Sequence, residues 1–158
     1  MSSEVACGLI GNRPLEIVDI GASPIPGHDP CYRALVERGL ARLSAFDPDP
    51  DACTALRKLY PDARIVEEAI GDGDVHWLYQ TEMASKSSLF APNEAVTSLY
   101  QTFSHGMAVE DRRRVPTIRL DEALDGTRPD FVTMDIQGAE ALAIAGGRRS
   151  LSEALIIE

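Results

Sequence analysis

The chain has 158 residues and a net charge of -10, with 25 acidic side chains against 15 basic ones. This length fits a single domain, and a hydrophobic fraction of 44% is sufficient for a packed core. The acidic balance argues against binding to nucleic acid or to anionic membranes, since both need a basic face. No stretch approaches the roughly 20 apolar residues of a membrane span, and the N-terminus does not resemble a signal peptide. We therefore expect a cytoplasmic protein.

The cysteines and histidines form no recognisable metal or disulfide pattern. Cys7, Cys31 and Cys53 are odd in number and lack a C-x-x-C spacing, which favours reduced, mostly buried thiols. The three histidines lie far apart in sequence, so no zinc motif is formed. Asp135 and Glu140 are five residues apart, which is not a diagnostic spacing for a metal pair. The sequence therefore predicts no metal site.

The first half of the chain alternates between strand and helix patterns. Residues 1–13 have no clear period and are interpreted as a leader, so the domain is expected to cover residues 14–158. A short apolar run over 15–20, ending at Gly21, predicts a buried strand. The next predicted elements are a Pro-rich loop over 22–30, a helix from Asp29 to Gly39, a strand over 43–46, a helix capped by Asp49 with Pro50 at its first position, and strands over 63–66 and 75–80.

The alternation resumes after a less legible middle, residues 81–114. There, Asn93 can cap a helix that carries Val96, Leu99, Tyr100 and Phe103. The later predicted elements are a strand over 115–119, a helical turn over 121–124, a strand over 131–135, a helix over 138–145 and a buried strand over 154–158. Strands that alternate with helices predict an α/β fold with a mostly parallel sheet and helices on both faces.

Three of the predicted strands end on acidic or small residues: Asp19 to Ser23, Asp47-Pro48 and Asp135 to Gly138. Ligands of open α/β sheets bind at the carboxyl ends of the strands, near the point where strand order reverses. An acid at the end of the second strand can accept hydrogen bonds from both ribose hydroxyls of a nucleoside. The alternative is that these acids only cap the helices that follow, and both interpretations stay open at this point.

The loop after the first strand distinguishes between kinds of nucleoside. It reads from Gly21 to Gly27 as Gly-Ala-Ser-Pro-Ile-Pro-Gly and lacks the second and third glycines of a dinucleotide fingerprint. Its prolines remove backbone donors, and the next helix begins several residues late, so it is poorly suited to a pyrophosphate. A cationic nucleoside without phosphate, such as S-adenosylmethionine, needs no such cradle and is favoured by clustered carboxylates.

Six sequence blocks occur in one order along residues 15–158: Val18-Asp19-Ile20-Gly21-Ala22, Ala45-Phe46-Asp47-Pro48, Glu68-Ala69-Ile70-Gly71-Asp72, Ser87-Ser88-Leu89, Thr117-Ile118-Arg119-Leu120-Asp121 and Met134-Asp135-Ile136-Gln137-Gly138-Ala139-Glu140. The ordered set, above all the last block, resembles the FkbM-type S-adenosylmethionine-dependent methyltransferases. That resemblance implies a Rossmann-like class I methyltransferase fold.

The resemblance also implies roles for individual residues. Gly21 and Ala22 would let the backbone approach the amino-acid end of the cofactor, Asp47 would hold the ribose, and Glu68, Ala69 and Ile70 would flank the adenine. Asp19, Ser23 and Pro48 complete the predicted cofactor-binding set. Asp135 would lie nearest to the methyl group and the acceptor. A hydroxyl acceptor needs a general base, for which Asp135 is the first candidate and His105 the second. The alternative is that Asp135 only orients the ammonium group of the cofactor or the loop that follows it.

The function implied is O-methylation of a hydroxyl group on a small molecule or sugar. Two alternatives are a non-catalytic binding domain that retains the fold and an NAD-dependent α/β enzyme, which the missing glycines disfavour. The sequence departs from the family at Ser23 to Pro26, which replace a glycine-containing turn. It also ends at the fifth predicted core strand, where the class normally continues through two more. We therefore expect a truncated domain whose C-terminal sheet edge can pair with a second copy as a homodimer.

Overall fold

A computed structural model of the chain describes residues 13–99 and 106–158. Most of the predicted leader therefore lies outside the described residues. In chain order the elements are β1 (Leu15–Ile20), α1 (Arg33–Glu37), β2 (Ala41–Phe46), α2 (Pro50–Leu59), β3 (Arg64–Val66), β4 (Ala69–Gly71), β5 (Val75–Thr81), a 3₁₀ helix (Ala84–Lys86), α3 (Glu94–Thr97), β6 (Val109–Arg119), α4 (Leu120–Ala123), β7 (Phe131–Met134), α5 (Glu140–Gly146), α6 (Arg148–Glu153) and β8 (Ile156–Ile157).

The larger sheet has five parallel strands in the order β3-β2-β1-β7-β8. β1 pairs with β2 along its whole length and with β7 over its last four residues. The chain runs outward from β1 to β3 on one side and returns to β7 on the other. Strand order therefore reverses at β1, which creates a crevice at the carboxyl ends of β1, β2 and β7.

Alternate residues of β1 enter two different cores, as expected for a strand covered on both faces. Val18 and Ile20 are 1% exposed and pack with residues of α4, α5 and α6. Ile17 lies on the opposite face with Leu56 of α2 and with Tyr32, the residue before α1. The predicted α/β architecture is thereby confirmed.

A second, three-stranded sheet has the order β4-β6-β5, with β4 parallel and β5 antiparallel to β6. The sequence predicted only residues 115–119 of β6 as a strand, but β6 begins at Val109 because it pairs with the whole of β5. α5 crosses β4 closely: a Cβ added at Gly146 would lie 2.0 Å from the carbonyl oxygen of Gly71. The small sheet is thus held against the helical layer of the larger one.

The outer face of the β5–β6 pair carries the basic run of the sequence. The guanidinium carbon of Arg112 lies 5.2 Å from the centre of the Trp77 ring, and that of Arg114 lies 5.8 Å from it. These cation–π contacts occupy two of the three consecutive arginines.

The helix caps agree with the sequence at two places. The side chain of Asp49 accepts a hydrogen bond from the backbone of Asp51 at the start of α2, and Pro50 is the first helical residue, as predicted. Asn93 likewise caps α3, but that helix ends at Thr97. Tyr100 and Phe103, predicted for the same helix, lie outside the described residues.

The C-terminal strand differs from the prediction of a buried strand. β8 is two residues long and forms the edge of the larger sheet, and Ile156 and Ile157 are 59% and 49% exposed. Pairing of this edge with a second copy stays a prediction. Among the described residues, no helix is both long and apolar enough to cross a membrane.

Candidate functional site

A cavity of about 370 Å³ opens between the carboxyl ends of the parallel strands and the small sheet. One side, here called the strand-end wall, consists of residues that follow β1, β2 and β7. The opposite side is formed by β5, β6 and the segment after β5. The lining residues are Ile20, Gly21, Ser23, Ile25, Asp47, Pro48, Asp49, Ala69, Ile70, Leu78, Gln80, Thr81, Glu82, Ala84, Ser85, Ser87, Ser88, Leu89, Glu110, Asp111, Asp135 and Ile136.

Asp47 is the most buried carboxylate of the strand-end wall, at 6% exposure. Its Oδ1 accepts a hydrogen bond of 2.8 Å from the backbone N–H of Asp49. Burial raises the pKa of Asp47 to about 6, although the backbone groups of Asp49 and Ser23 act in the opposite direction. The backbone of Asp49 therefore holds one oxygen of a carboxylate that lines the cavity. This carboxyl group changes its protonation state at mildly acidic pH.

Gly21 is required where β1 ends, because the chain turns there with a φ of +81°. A Cβ at this position would lie 2.4 Å from the carbonyl oxygen of Asp135. The backbone of Gly21 donates to the carbonyl of Phe46, and that of Asp135 donates to the carbonyl of Ile20. The ends of β1, β2 and β7 thus form one closely packed unit.

The segment after β7 folds into a tight turn around Gln137, whose φ is +56°. Oε1 of Glu140 accepts hydrogen bonds from the backbones of Ile136 and Gly138, at 3.2 and 3.1 Å. The Gln137 side-chain amide donates to Oδ1 of Asp135 at 2.6 Å. A left-handed conformation at a non-glycine residue is held in place by its surroundings, and here it aims the amide at the exposed Asp135 carboxylate.

Ser88 connects this turn to the opposite side of the cavity. Its buried hydroxyl donates to the carbonyl of Gln137 at 2.9 Å and accepts from the backbone of Phe90 at 3.1 Å. The backbone of Ser88 exchanges two hydrogen bonds with Tyr79 of β5. One side chain therefore joins the small sheet to the loop that carries Asp135.

Asp19, on β1, is also buried, but its carboxylate is engaged elsewhere. The hydroxyl of Tyr32 donates a short hydrogen bond to Oδ2 of Asp19. Burial raises the pKa of Asp19 to about 6, against the effect of the tyrosine donor, while burial raises the pKa of Tyr32 as well. Tyr32 itself packs in the second core, so this pair lies behind the strand-end wall.

The decisive comparison is with protein families. The model of the methyltransferase FkbM domain matches residues 19–158. The chain belongs to the FkbM methyltransferase family. The resemblance predicted from the ordered blocks is confirmed, as is the predicted fold class. No curated protein and no solved structure matches the chain.

In this FkbM domain, seven of the ten predicted site residues line one cavity: Gly21, Ser23, Asp47, Pro48, Ala69, Ile70 and Asp135. The other three do not. Asp19 is sealed by Tyr32, Ala22 packs into the second core, and the side chain of Glu68 is exposed outside the cavity. His105, the second candidate base, lies outside the described residues.

Thr117 and Asp121 belong to a family block to which the sequence analysis assigned no function. In the structure their side chains form hydrogen bonds that stabilise the surroundings of the site. Thr117 of β6 donates to the carbonyl of Asp74 and accepts from the backbone of Gly73. Asp121 accepts hydrogen bonds from the backbones of Arg149 and Ser150, at the start of α6. These residues of the FkbM domain fix the small sheet and the helical layer that supports it.

The sequence interpretation missed the side of the cavity formed by the small sheet. Three carboxylates, of Glu82, Glu110 and Asp111, line it; we call them the acidic wall. The register of β5 and β6 shifts here: Gln80 pairs with Asp111 but Thr81 pairs with Val109, so Glu110 is an extra residue. Such a bulge lets two consecutive side chains face the same side. An irregularity of this kind leaves no signal in the alternation of the sequence.

Proposed function

We propose that the chain transfers a methyl group from S-adenosylmethionine to a hydroxyl group of a small molecule or sugar. One observation carries this function: a buried carboxylate, Asp47, enters a cavity at the carboxyl end of β2, beside the point where strand order reverses. A carboxylate in that position can accept hydrogen bonds from two adjacent hydroxyl groups, as a ribose presents them. Membership of a methyltransferase family supports the same conclusion.

The residues of the cavity fit this cofactor. Ile70, Ala69 and Leu78 supply an apolar surface suited to an adenine ring, and they lie on the same lining as Asp47. The backbone approaches the cavity without a side chain at Gly21. The loop from Ser23 to Pro26 and the late start of α1 at Arg33 disfavour a pyrophosphate, which argues against the NAD-dependent alternative.

The cofactor, when bound, would supply the methyl group on a sulfonium that is already an excellent leaving group. The protein then has to hold the acceptor in line and to exclude water, and positioning of this kind contributes about 7 kcal/mol or more in the best cases. Asp135 is the candidate base for the hydroxyl proton, because it lines the cavity and one of its oxygens is held by Gln137. Its other oxygen, Oδ2, accepts no hydrogen bond from the described residues, so an acceptor hydroxyl could donate to it.

The test is a calorimetric titration with S-adenosylhomocysteine, which needs no acceptor. We expect binding to the wild type and a loss of about 1.5–3 kcal/mol of binding free energy for Asp47→Ala, the range for hydrogen bonds to a charged group. Asp19→Asn is the matched variant, because Asp19 is equally buried but sealed by Tyr32. Its affinity should stay within a few-fold of the wild type.

An unchanged dissociation constant for a folded Asp47→Ala protein would remove the ribose role of this residue. No binding to the wild type would remove the proposed cofactor. Binding without turnover over a broad set of hydroxyl acceptors would favour the non-catalytic binding domain. Once an acceptor is found, Asp135→Asn should lower turnover and keep the cofactor affinity within a few-fold if Asp135 is a base; an equal loss of both would make it a clamp.

A further inference from the structure

The described residues that line the cavity carry charges of one sign. Its lining contains six carboxylates: Asp47, Asp49, Glu82, Glu110, Asp111 and Asp135. Among the described residues that line it there is no Lys, Arg or His. Arg113, on the same strand as Asp111, is engaged with the carbonyl oxygen of Pro48 at 3.0 Å. Carboxylates from four different segments therefore converge, and none of the described lining residues places a cation between them.

The carboxylates of the acidic wall are not accounted for by ion pairs within the described residues. Glu82, Glu110 and Asp111 form no ion pair with any residue that the structure describes, in contrast to Asp130, which is paired with Arg13. The bulge in β6 brings Glu110 and Asp111 to the same side, although alternation would have separated them. A cleft lined by one sign of charge concentrates ions of the opposite sign.

The width of the cavity, compared with the Debye length, shows how strongly salt screens the electric field of the acidic wall. A sphere of 370 Å³ is about 9 Å across, which is close to the Debye length of about 8 Å at physiological salt. A charge near the middle of the cavity therefore lies within about half a Debye length of the acidic wall, where salt screens it only in part, whereas a charge at the far side is screened more strongly.

We propose that the acidic wall makes the cavity selective for a positively charged ligand, so that it favours the sulfonium form of the cofactor over the demethylated product. This inference rests on the proposed function. When the methyl group is transferred, the carbon–sulfur bond breaks, a carbon–oxygen bond forms, and the hydroxyl proton leaves to a base. The net charge of the cofactor falls from one positive charge to zero, so the wall retains the donor and releases the product.

The experiment measures the ratio of the dissociation constants of S-adenosylhomocysteine and S-adenosylmethionine by calorimetry, without an acceptor. We expect the double variant Glu110→Gln/Asp111→Asn to lower this ratio by about three- to tenfold, because two charges that stabilise the sulfonium are removed. The control is Asp62→Asn/Glu122→Gln, which removes two exposed carboxylates outside the cavity and should leave the ratio unchanged.

A second measurement needs no variant. Raising the salt concentration from about 0.05 M to about 0.5 M should weaken the binding of S-adenosylmethionine to the wild type more than that of S-adenosylhomocysteine. If both molecules bind and the ratio changes by less than twofold with the wall neutralised and with salt, the inference is wrong while the proposed function stands. If neither molecule binds to the wild type, the proposed function fails, and the inference fails with it.

Discussion

The strand-end wall and the acidic wall face each other across the cavity and are held in different ways. On the strand-end wall, Asp47 is buried and accepts a hydrogen bond from the backbone of Asp49, and Gly21 is in contact with the backbone of Asp135. On the acidic wall, Glu110 and Asp111 are exposed, and their carboxylates form no ion pair with the described residues. Changes to the first wall should therefore alter stability, whereas changes to the second should mainly alter the field in the cavity.

The largest effect is expected from Gly21→Ala. The left-handed φ and the approach of 2.4 Å to a carbonyl oxygen leave no space for a methyl group. We expect a loss of about 2–4 kcal/mol in the free energy of unfolding. Gly27→Ala is the control, because Gly27 has a similar φ of +77° but open space around it. Its cost should be about 1–2 kcal/mol, the strain alone. Equal losses in urea denaturation would show that packing against Asp135 is unimportant.

The next effect is a dependence of stability on pH. The pKa of Asp47 is about 6 in the folded protein and near 3.8 without the fold, so between these values only the folded state holds the proton. Its contribution to the free energy of unfolding therefore falls as pH rises from about 4 to about 6 and stays low above that. As pH rises through this window, the free energy of unfolding of Asp47→Asn should increase by about 1–3 kcal/mol relative to that of the wild type. Denaturation of both proteins at pH 4 and at pH 7.5 measures this change. If the variant and the wild type differ in free energy of unfolding by the same amount at both pH values, the prediction is wrong.

A smaller effect is expected for the link between the two sides of the cavity. Ser88→Ala removes the donor to the carbonyl of Gln137 and the acceptor for the backbone of Phe90, both in a buried setting. We expect a loss of about 1–2 kcal/mol in the free energy of unfolding. Ser152→Ala removes an exposed hydroxyl that bonds to the carbonyl of Arg149 and should cost less than about 0.5 kcal/mol. If the two thermal shifts agree, Ser88 does not join the two sides.

The smallest effect should come from Arg113→Gln. The arginine side chain is exposed, and its one hydrogen bond to the described residues is to the carbonyl of Pro48. A change of about 0.5 kcal/mol or less in stability is expected, in either direction. A loss above about 1 kcal/mol would mean that the acidic wall depends on this contact with the strand-end wall.

The sequence was informative wherever a local signal and the fold agreed. The apolar run of β1, the Asp49 cap of α2 and the acids at the strand ends could all be predicted, because each depends on a few consecutive residues. The roles of Asp19 and Asp47 could not be separated, because both follow or end apolar strands. Only the packing of Tyr32 shows that Asp19 is sealed. The acidic wall depends on a pairing between β5 and β6 across a long loop, and no local pattern records its bulge.

Cys53 lies at the base of the strand-end wall, where its thiol donates to the carbonyl of Asp47 at 3.3 Å. Burial raises its pKa to about 11, so the reactive thiolate is a minor form at neutral pH. Cys31, in contrast to the prediction of buried thiols, is exposed. Maleimide and peroxide should therefore attack Cys31 well before Cys53. A dye attached at Cys31, next to the Tyr32 that seals Asp19, would report on the loop after β1 while leaving the thiol beneath Asp47 chemically silent.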